Sequence, residues 1–293
     1  MILVTGATGS IGRSLVRQLR QAGAAFRALV RDESKGRVLG CDFVVGDFDD
    51  PNSIAAALDG VDQLFLNSAG AQPLDREQPM VRRQKTAIDA ARRAGVTHVV
   101  KVSVWHARQA AKLSQGAHRE IEEYLKASGL AWSLLQPAGF MQNFLAPEAF
   151  TREGSLVSSY GSTPVAHIDC HDVAACAADL LAGSLGEEKT FVLTGPEALT
   201  DAEIAHKISS ALGRTVGRAE LPPDSLAAAM RSQGLPRWFA EDLAFLVKEV
   251  ASGSQAETTT TVRDITGRPA RTFDDFLAAN LQSLRAVAVP PTP

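Results

Sequence analysis

The first twelve residues constrain the fold more than any other stretch of the chain. They read MILVTGATGSIG, in which strand-forming residues are followed by a glycine-rich turn and then by apolar residues at helical spacing. Gly6 permits a tight turn, Gly9 lets a ligand approach bare backbone, and Gly12 lets the helix pack closely on the strand. The first N–H groups of that helix, at Ser10 and Ile11, would face a pyrophosphate. We therefore predict a dinucleotide-binding turn at the start of the chain.

Strands and helices alternate from this turn as far as Pro137. After the first strand, further strands are predicted at residues 26–30, 43–45, 61–66, 96–102 and 130–135, and helices that end at glycines are predicted after the first, third, fourth and fifth strands. This pattern predicts the α/β class, with a Rossmann-type doubly wound parallel sheet whose ligand crevice lies at the carboxyl ends of the strands. We assign residues 1–137 to an NAD(P)-binding domain.

The alternation loosens after Pro137. The patterns predict a helix over 140–150, a strand over 165–168, a helix over 173–181 and a strand over 190–193. Thr200 and Glu203 form a capping box for another helix, and Thr272 caps the last one. We expect residues 138–293 to form a smaller α/β region that covers the crevice and shapes a substrate pocket, with some elements returning to the main sheet.

Charge and cysteine content narrow the classes of partner. The net charge of -3 provides no basic field for nucleic acid, and no apolar run is long enough to span a membrane. The three cysteines suggest no disulfide framework, and no signal peptide precedes the first strand. We therefore expect a cytoplasmic protein, a monomer or homodimer, whose partner is a small molecule rather than nucleic acid or a membrane.

The end of the second strand bears on the choice of cofactor. An acidic residue there would hold the ribose 2′-hydroxyl of NAD, whereas an arginine would accommodate the 2′-phosphate of NADP. Arg31 holds that place, and Lys35 follows four residues later. The adjacent Asp32 leaves open an alternative in which both cations are merely solvated.

The residues that usually carry proton transfer in short-chain dehydrogenases are missing. These enzymes use a tyrosine followed four residues later by a lysine. The chain has only Tyr124 and Tyr160, and residues Ser128 and Pro164 stand at the lysine position. No G-x-S-x-G nucleophile elbow occurs either, which disfavours a hydrolase.

A series of short motifs runs along nearly the full chain. They are TGATGSIG at 5–12, LVRD at 29–32, GD at 46–47, AGV at 94–96, HREIEEYL at 118–125, SG at 128–129, Pro137 with FMQN at 140–143, and TGRPARTF at 266–273. Together they resemble the NmrA-like branch of atypical short-chain dehydrogenases, especially its bacterial NADPH:quinone oxidoreductases and triphenylmethane reductases. The resemblance implies a Rossmann domain, a small C-terminal domain and NADP(H) binding. In many members it also implies hydride delivery to a conjugated or aromatic acceptor.

The resemblance also assigns residues to the parts of the cofactor. The residues that match the pyrophosphate loop are Gly6, Thr8, Gly9, Ser10 and Ile11. The residues that match the 2′-phosphate clamp are Arg31 and Lys35, and the residues expected to flank the adenine are Asp47 and Phe48. The residues expected to line the nicotinamide side are Asn67, Ser68, Ala69 and Ser103.

His118 falls where the isoflavone-reductase-like members have a catalytic lysine. A neutral histidine could donate a hydrogen bond or a proton, or could only contact the nicotinamide ribose. The sequence leaves both roles open.

Two further groups of residues invite a functional interpretation. The residues that could form an apolar wall for a flat substrate, or alternatively pack in the core, are Trp105, His106, Phe140, Met141 and Phe144. The potential metal ligands at 167–171 are His167, Asp169, Cys170 and His171, for which caps and packing are the simpler explanation. We expect no metal.

The sequence therefore predicts an NADPH-dependent oxidoreductase that delivers hydride to a quinone-like or conjugated aromatic small molecule. One alternative is a redox sensor that binds NADP(H) without turnover, because it would share every cofactor residue. The other is an isomerase or lyase of the same fold that retains its nucleotide.

Overall fold

The structure of the protein is a computed structural model, and it describes residues 1–74, 78–183 and 188–288. The strands are β1 (Ile2–Val4), β2 (Phe26–Val30), β3 (Phe43–Val45), β4 (Gln63–Leu66), β5 (His98–Val102), β6 (Ala131–Pro137), β7 (Leu156–Ser158), β8 (Lys189–Leu193) and β9 (Arg218–Glu220). The α-helices are α1 (Ser10–Gln21), α2 (Glu33–Leu39), α3 (Pro51–Ala57), α4 (Pro79–Ala94), α5 (Leu113–Lys126), α6 (Cys170–Ala182), α7 (Asp201–Leu212), α8 (Pro223–Ser232), α9 (Arg237–Ala251), α10 (Thr261–Thr266) and α11 (Phe273–Ala288).

Strands β1 to β6 and β8 form one seven-stranded parallel sheet. Its strand order is β3-β2-β1-β4-β5-β6-β8. Val4 of β1 is in register with Ala28 on one side and Phe65 on the other. From β1 the sheet is extended on one side by β2 and β3, and from β4 it is extended on the other side by β5, β6 and β8. The strand order therefore reverses between β1 and β4, and a ligand crevice opens at such a switch point. The doubly wound sheet predicted from the sequence is confirmed, and the strand predicted over 190–193 joins it as β8.

The chain divides into two compact units. The first comprises Met1–Pro137, Cys170–Leu193 and Asp264–Gly267, so it holds the parallel sheet and helices α1 to α6. Helix α6 packs on α1, and α4 packs on α5. Side chains such as Leu64, Ile88 and Ile121 are fully buried between sheet and helices, which provides the apolar burial that stabilises this unit.

The second unit comprises Ala138–Asp169, Thr194–Arg263 and Arg268–Pro293. Helices α7 and α11 pack together around a core that includes Ile208 and Phe276. The capping box of Thr200 at the start of α7 is confirmed. Thr272 caps α11 through reciprocal hydrogen bonds with Asp275, as the sequence predicted. None of the helices in the described ranges combines the length and the apolarity needed to cross a bilayer.

Two predicted elements are wrong. The segment over 165–168 is not a strand, because its backbone bonds to loops: Ala166 N–H donates to the carbonyl of Gln255 and Ile168 N–H to that of Gly139. The segment over 140–150 is not an α-helix but two 3₁₀ helices, Met141–Leu145 and Pro147–Ala149. A helical segment normally ends before a proline, and the residue preceding Pro147 is extended.

Candidate active site

A cleft of about 270 Å³ lies beyond the carboxyl ends of β1 to β4. The structure brings together there nine of the predicted cofactor residues: Gly6, Thr8, Gly9, Arg31, Asp47, Phe48, Asn67, Ser68 and Ala69. The residues that also line it, but to which the sequence analysis assigned no cofactor contact, are Leu29, Val30, Gly46, Gln72 and Arg83. The cleft is thus formed by the segments that follow four neighbouring parallel strands.

Five predicted cofactor residues do not line this cleft. Ser10 and Ile11 begin α1 immediately after Gly9. Lys35 lies on α2 with an exposed side chain. Ser103 and His118 belong to a buried polar network of the same unit, described below.

The glycine-rich turn fits a pyrophosphate. Gly6 has a φ of +62°, and a Cβ on Gly12 would lie 2.1 Å from the carbonyl oxygen of Gly6, so folding alone requires glycine at both positions. A Cβ on Gly9 would meet only Gly6 O, at an ordinary 3.4 Å, yet Gly9 faces the cleft. Gly9 is also the N-cap of α1 and brings no side chain to its first N–H groups. Bare backbone and open helical N–H groups together suit an anion.

The two residues that end the second strand have separate tasks. Arg31 lines the cleft. Asp32 is the N-cap of α2, and its Oδ1 accepts a hydrogen bond from the backbone N–H of Ser34 at 2.7 Å. Hydrogen bonds from Ser34 hold the pKa of Asp32 below its ordinary value, with smaller contributions from Lys35. The arginine is therefore the charged residue of this pair that faces the cleft.

Arg83 is a cleft cation that the sequence analysis missed. Its Nε and Nη2 donate to Asp49 Oδ2 at 3.0 and 2.6 Å, while Arg82 donates to Oδ1 at 2.6 Å. The two guanidinium groups, Arg83 foremost, lower the pKa of Asp49 to about 2. Both arginines lie near the start of α4, and no sequence signal distinguishes the one that faces the cleft.

Hydrogen bonds fix the loop that follows β4. Thr5 Oγ1 donates to the carbonyl oxygens of Phe65 and Asn67, both at 2.9 Å, through one shared hydrogen. It also accepts a hydrogen bond from the backbone N–H of Asn67 at 2.9 Å. Farther along, Gln84 Nε2 donates to Ser68 Oγ at 2.8 Å. The backbone from Asn67 to Ala69 is therefore held in place at the edge of the cleft.

His118 is bound to a lysine that the sequence analysis also missed. Lys101 on β5 is 0% exposed, and its Nζ lies 2.8 Å from His118 Nδ1. Burial lowers the pKa of Lys101 to about 7, although Glu122 opposes the shift. Burial and the nearby Lys101 amine lower the pKa of His118 well below its ordinary value. The imidazole is therefore neutral at physiological pH.

Ser103 belongs to the same buried region. Its Oγ donates to Glu122 Oε1, which also accepts a hydrogen bond from Gln136 Nε2 at 2.9 Å. The other carboxylate oxygen, Oε2, is buried without a hydrogen bond and lies 4.0 Å from Arg119 Nη1. A lysine within the apolar run of β5 was the available signal for this network, since fully buried lysines are rare unless they are paired.

The predicted substrate-wall residues divide between the two units. Trp105 and His106 of the first unit stack with ring centroids 4.7 Å apart. In the second unit Met141 and Phe144 are 1% and 8% exposed and belong to the core, which is the packing role that the sequence left open. Phe140 is half-buried.

The potential metal ligands make other contacts. Asp169 accepts hydrogen bonds from Gln142 at 2.6 Å and Arg271 at 3.3 Å, and His171 Nδ1 lies 3.5 Å from Asp172. Among the described residues, no three His, Cys, Asp or Glu side chains are grouped so that they could hold a metal ion.

Comparison with known proteins identifies relatives over nearly the whole chain. The model of the NmrA-like family matches residues 1–275. A protein of Xenophilus azovorans named NAD(P)H azoreductase is 36% identical over 291 residues, covering 98% of this chain and 100% of the relative. The crystal structure of the NADPH-dependent quinone oxidoreductase QOR2 of Escherichia coli, complexed with NADPH, has a TM-score of 0.82 at 27% identity and covers 96% of this chain and 100% of that one. Triphenylmethane reductase of Citrobacter sp. shares the fold, with a TM-score of 0.81 at 23% identity over 98% and 99% of the two chains.

Proposed function

The chain belongs to the NmrA-like family, and from this premise we propose that it is an NADPH-dependent reductase of quinone-like, azo or other conjugated aromatic small molecules. Two relatives support this class of reaction. One is named NAD(P)H azoreductase, and the other is a quinone oxidoreductase complexed with NADPH. Both are matched over almost their full length, so the proposal concerns the whole chain rather than one domain.

The observation that carries the proposal is the joint presence of Gly9 and Arg31 in one cleft. The packing of the protein does not require a glycine at position 9, but a glycine there leaves bare backbone facing the cleft, which suits the pyrophosphate. Arg31 supplies the charge that a 2′-phosphate needs, while Asp32 is engaged at the N-terminus of α2. Phe48, partly buried against the core, would flank the adenine.

Bound NADPH would supply the hydride, and the protein would supply orientation, exclusion of water and a proton. We assign the proton to His118, whose Nδ1 is engaged by Lys101 and whose Nε2 has no hydrogen-bond partner among the described residues. Ser103 would border the nicotinamide side. Trp105 and His106 of the first unit are the residues we propose for the wall against a flat acceptor, since both are only partly buried and their rings stack.

The test is the consumption of NADPH with a panel of quinones, azo dyes, triphenylmethane dyes and enones, each repeated with NADH. We expect oxidation of NADPH with at least one acceptor class and a clear preference for NADPH over NADH. Tight NADPH binding without oxidation by any acceptor would instead favour the redox sensor. Product formation without net NADPH consumption would favour the isomerase or lyase.

Location and assembly are parts of the same proposal. Within the described part of the chain Cys41, Cys170 and Cys176 are free thiols, which is typical of proteins from a reducing compartment such as the cytoplasm. A monomer or a homodimer is expected, and sedimentation of the purified protein would distinguish them.

A further inference from the structure

Lys101 occupies a position that is unfavourable for a charge. It lies in β5 with Leu66 of β4 and Leu134 of β6 as its register partners, and its side chain is fully buried. Placing an ammonium group in such surroundings is unfavourable unless its N–H groups are bonded and its charge is opposed. The role of Lys101 should therefore be sought in its contacts.

The lysine amine has two acceptors. Nζ donates to the carbonyl oxygen of Val102 at 3.1 Å and to His118 Nδ1 at 2.8 Å. An ammonium group has donors and no acceptor, so Nδ1 must accept, and the proton of the neutral ring must lie on Nε2. Within the described residues Nε2 is neither hydrogen-bonded nor among the polar atoms that are buried without a partner, and His118 as a residue is 8% exposed.

In the described part of the chain, the titratable groups near this amine lie on α5. From α5, His118 and Glu122 face it, and Arg119 lies 4.0 Å from Glu122 Oε2. The register partners on β4 and β6 are leucines. Glu122 therefore opposes the lysine charge from a distance, while its own Oε1 is held by Ser103 and Gln136.

We propose that Lys101 is a positioning residue that keeps the His118 proton on Nε2 and replaces that proton once it has been donated. This inference rests on the proposed reductase function. Hydride addition leaves the acceptor as an anion, which takes the Nε2 proton. At the same time Nδ1 takes a proton from the Lys101 ammonium. The products are a neutral reduced acceptor, a neutral imidazole protonated on Nδ1 and a neutral lysine amine, so atoms and charge balance.

The acidities of the two groups agree with this direction of transfer. Burial lowers the pKa of Lys101 to about 7, so its proton is available near neutral pH. Burial together with the neighbouring amine lowers the pKa of His118, which keeps the ring neutral rather than doubly protonated. Proton donation should therefore weaken above pH 7, when the lysine has already lost its proton.

The first test needs neither cofactor nor substrate. ¹⁵N NMR of the free protein, with His118 identified by comparison with His118→Gln, should show a neutral ring protonated on Nε2 below pH 7. Its Nδ1 shift should change with a midpoint near pH 7, and this change should vanish in Lys101→Met. A ring protonated on Nδ1 below pH 7, or a titration that persists in Lys101→Met, would overturn the proposal.

The second test is single-turnover reduction of a quinone by bound NADPH. At pH 6, Lys101→Met should lower the rate about tenfold or more while the NADPH Kd stays within about twofold. The decline of the rate above pH 7 should disappear in that variant. Lys126→Met, on the surface of α5, is the matched control and should behave as the unmutated protein.

The NMR and single-turnover experiments test the proposed function and the role of Lys101 separately. If the unmutated protein reduces no acceptor, the proposed function fails, and the NMR result still decides whether Lys101 sets the His118 tautomer. If the unmutated protein is active and Lys101→Met has the same rate and pH profile, the inference about Lys101 is wrong.

Discussion

Asp32 Oδ1 accepts the backbone N–H of Ser34 at 2.7 Å, so the acidic residue beside Arg31 serves as a helix cap. This contact bears on the question that the sequence left open at the end of β2. A carboxylate free to turn toward the cleft would favour the ribose hydroxyl of NAD. The carboxylate is engaged at α2, and Arg31 is the residue of this pair that lines the cleft.

Arg31→Ala should therefore remove most of the preference for NADPH. A charge-assisted contact to the 2′-phosphate is worth about 1.5–3 kcal/mol, so NADPH should bind roughly 10- to 150-fold more tightly than NADH in the unmutated protein. Isothermal titration calorimetry with NADPH and with NADH measures this difference in affinity. Arg37→Ala, which removes an exposed arginine paired with Glu33 on α2, should leave it unchanged. Equal affinities in the unmutated protein would contradict the assignment.

Gly9→Val should abolish NADPH binding while the fold survives. A side chain at this position has room within the protein, because its Cβ would meet only Gly6 O at 3.4 Å, but it would occupy the cleft. Gly12→Ala is the contrasting variant, since its Cβ would clash with the Gly6 backbone. It should lower thermal stability. Unchanged NADPH affinity in a folded Gly9→Val protein would remove the cofactor assignment.

Arg83→Ala should weaken NADPH binding roughly three- to tenfold, the effect of losing one partly exposed cation beside an anionic ligand. Its neighbour provides the matched control. Arg82 contacts the same Asp49 but is not among the residues lining the cleft, so Arg82→Ala should change the affinity less than about twofold. Equal losses in the two variants would mean that net charge, rather than position, accounts for the effect.

The sequence could predict the parallel sheet because its signals are local. Glycines end the helices, apolar runs form the strands, and Thr200 with Glu203 marks the start of α7. The same signals at Asp32 and Gly40 bound helix α2, which the sequence analysis nevertheless overlooked. The prediction of a strand over 165–168 is wrong because a buried apolar run looks the same in sequence whether a strand or a loop accepts its hydrogen bonds.

The site was predictable only in part, for a related reason. Residues that directly follow β1 to β4, such as Gly9 and Asn67, must gather at one edge of a parallel sheet, and topology alone places them. Arg83 enters the cleft from a helix, where the direction of a side chain depends on the docking of that helix. Lys101 contacts His118 across 17 residues of sequence, a pairing that no spacing rule predicts.

His118→Ala should lower the single-turnover rate of hydride transfer by about 10²- to 10⁴-fold if the ring supplies the proton, with little change in NADPH affinity. His206→Ala, an exposed histidine on α7, is the control. Because the pKa of His118 lies far below its ordinary value, its own titration should leave no step in the rate near pH 6.5. A near-normal rate in His118→Ala would reduce this residue to a ribose contact or a packing residue.

The buried lysine should also leave a signature in the pH dependence of stability. Unfolded chains keep a lysine proton up to about pH 10.4, whereas folded Lys101 releases it near pH 7. Between these values the unfolded state binds more protons, so this group makes the free energy of unfolding rise with pH, by at most about 1.4 kcal/mol per pH unit. Below pH 7 the full penalty of the buried charge is present, and above about pH 10.4 it is absent.

Lys101→Met removes that penalty, so the free energy of unfolding of the variant minus that of the unmutated protein should fall as pH rises from 7 to 10. Urea denaturation at several pH values measures this difference. Loss of the lysine also leaves Glu122 without its opposing charge, so the same pair should be compared in a Glu122→Gln background. A difference that stays constant from pH 7 to 10 in both backgrounds would mean that Lys101 keeps an ordinary pKa in the folded protein. It would then be unable to serve as the proton source for His118 near neutral pH.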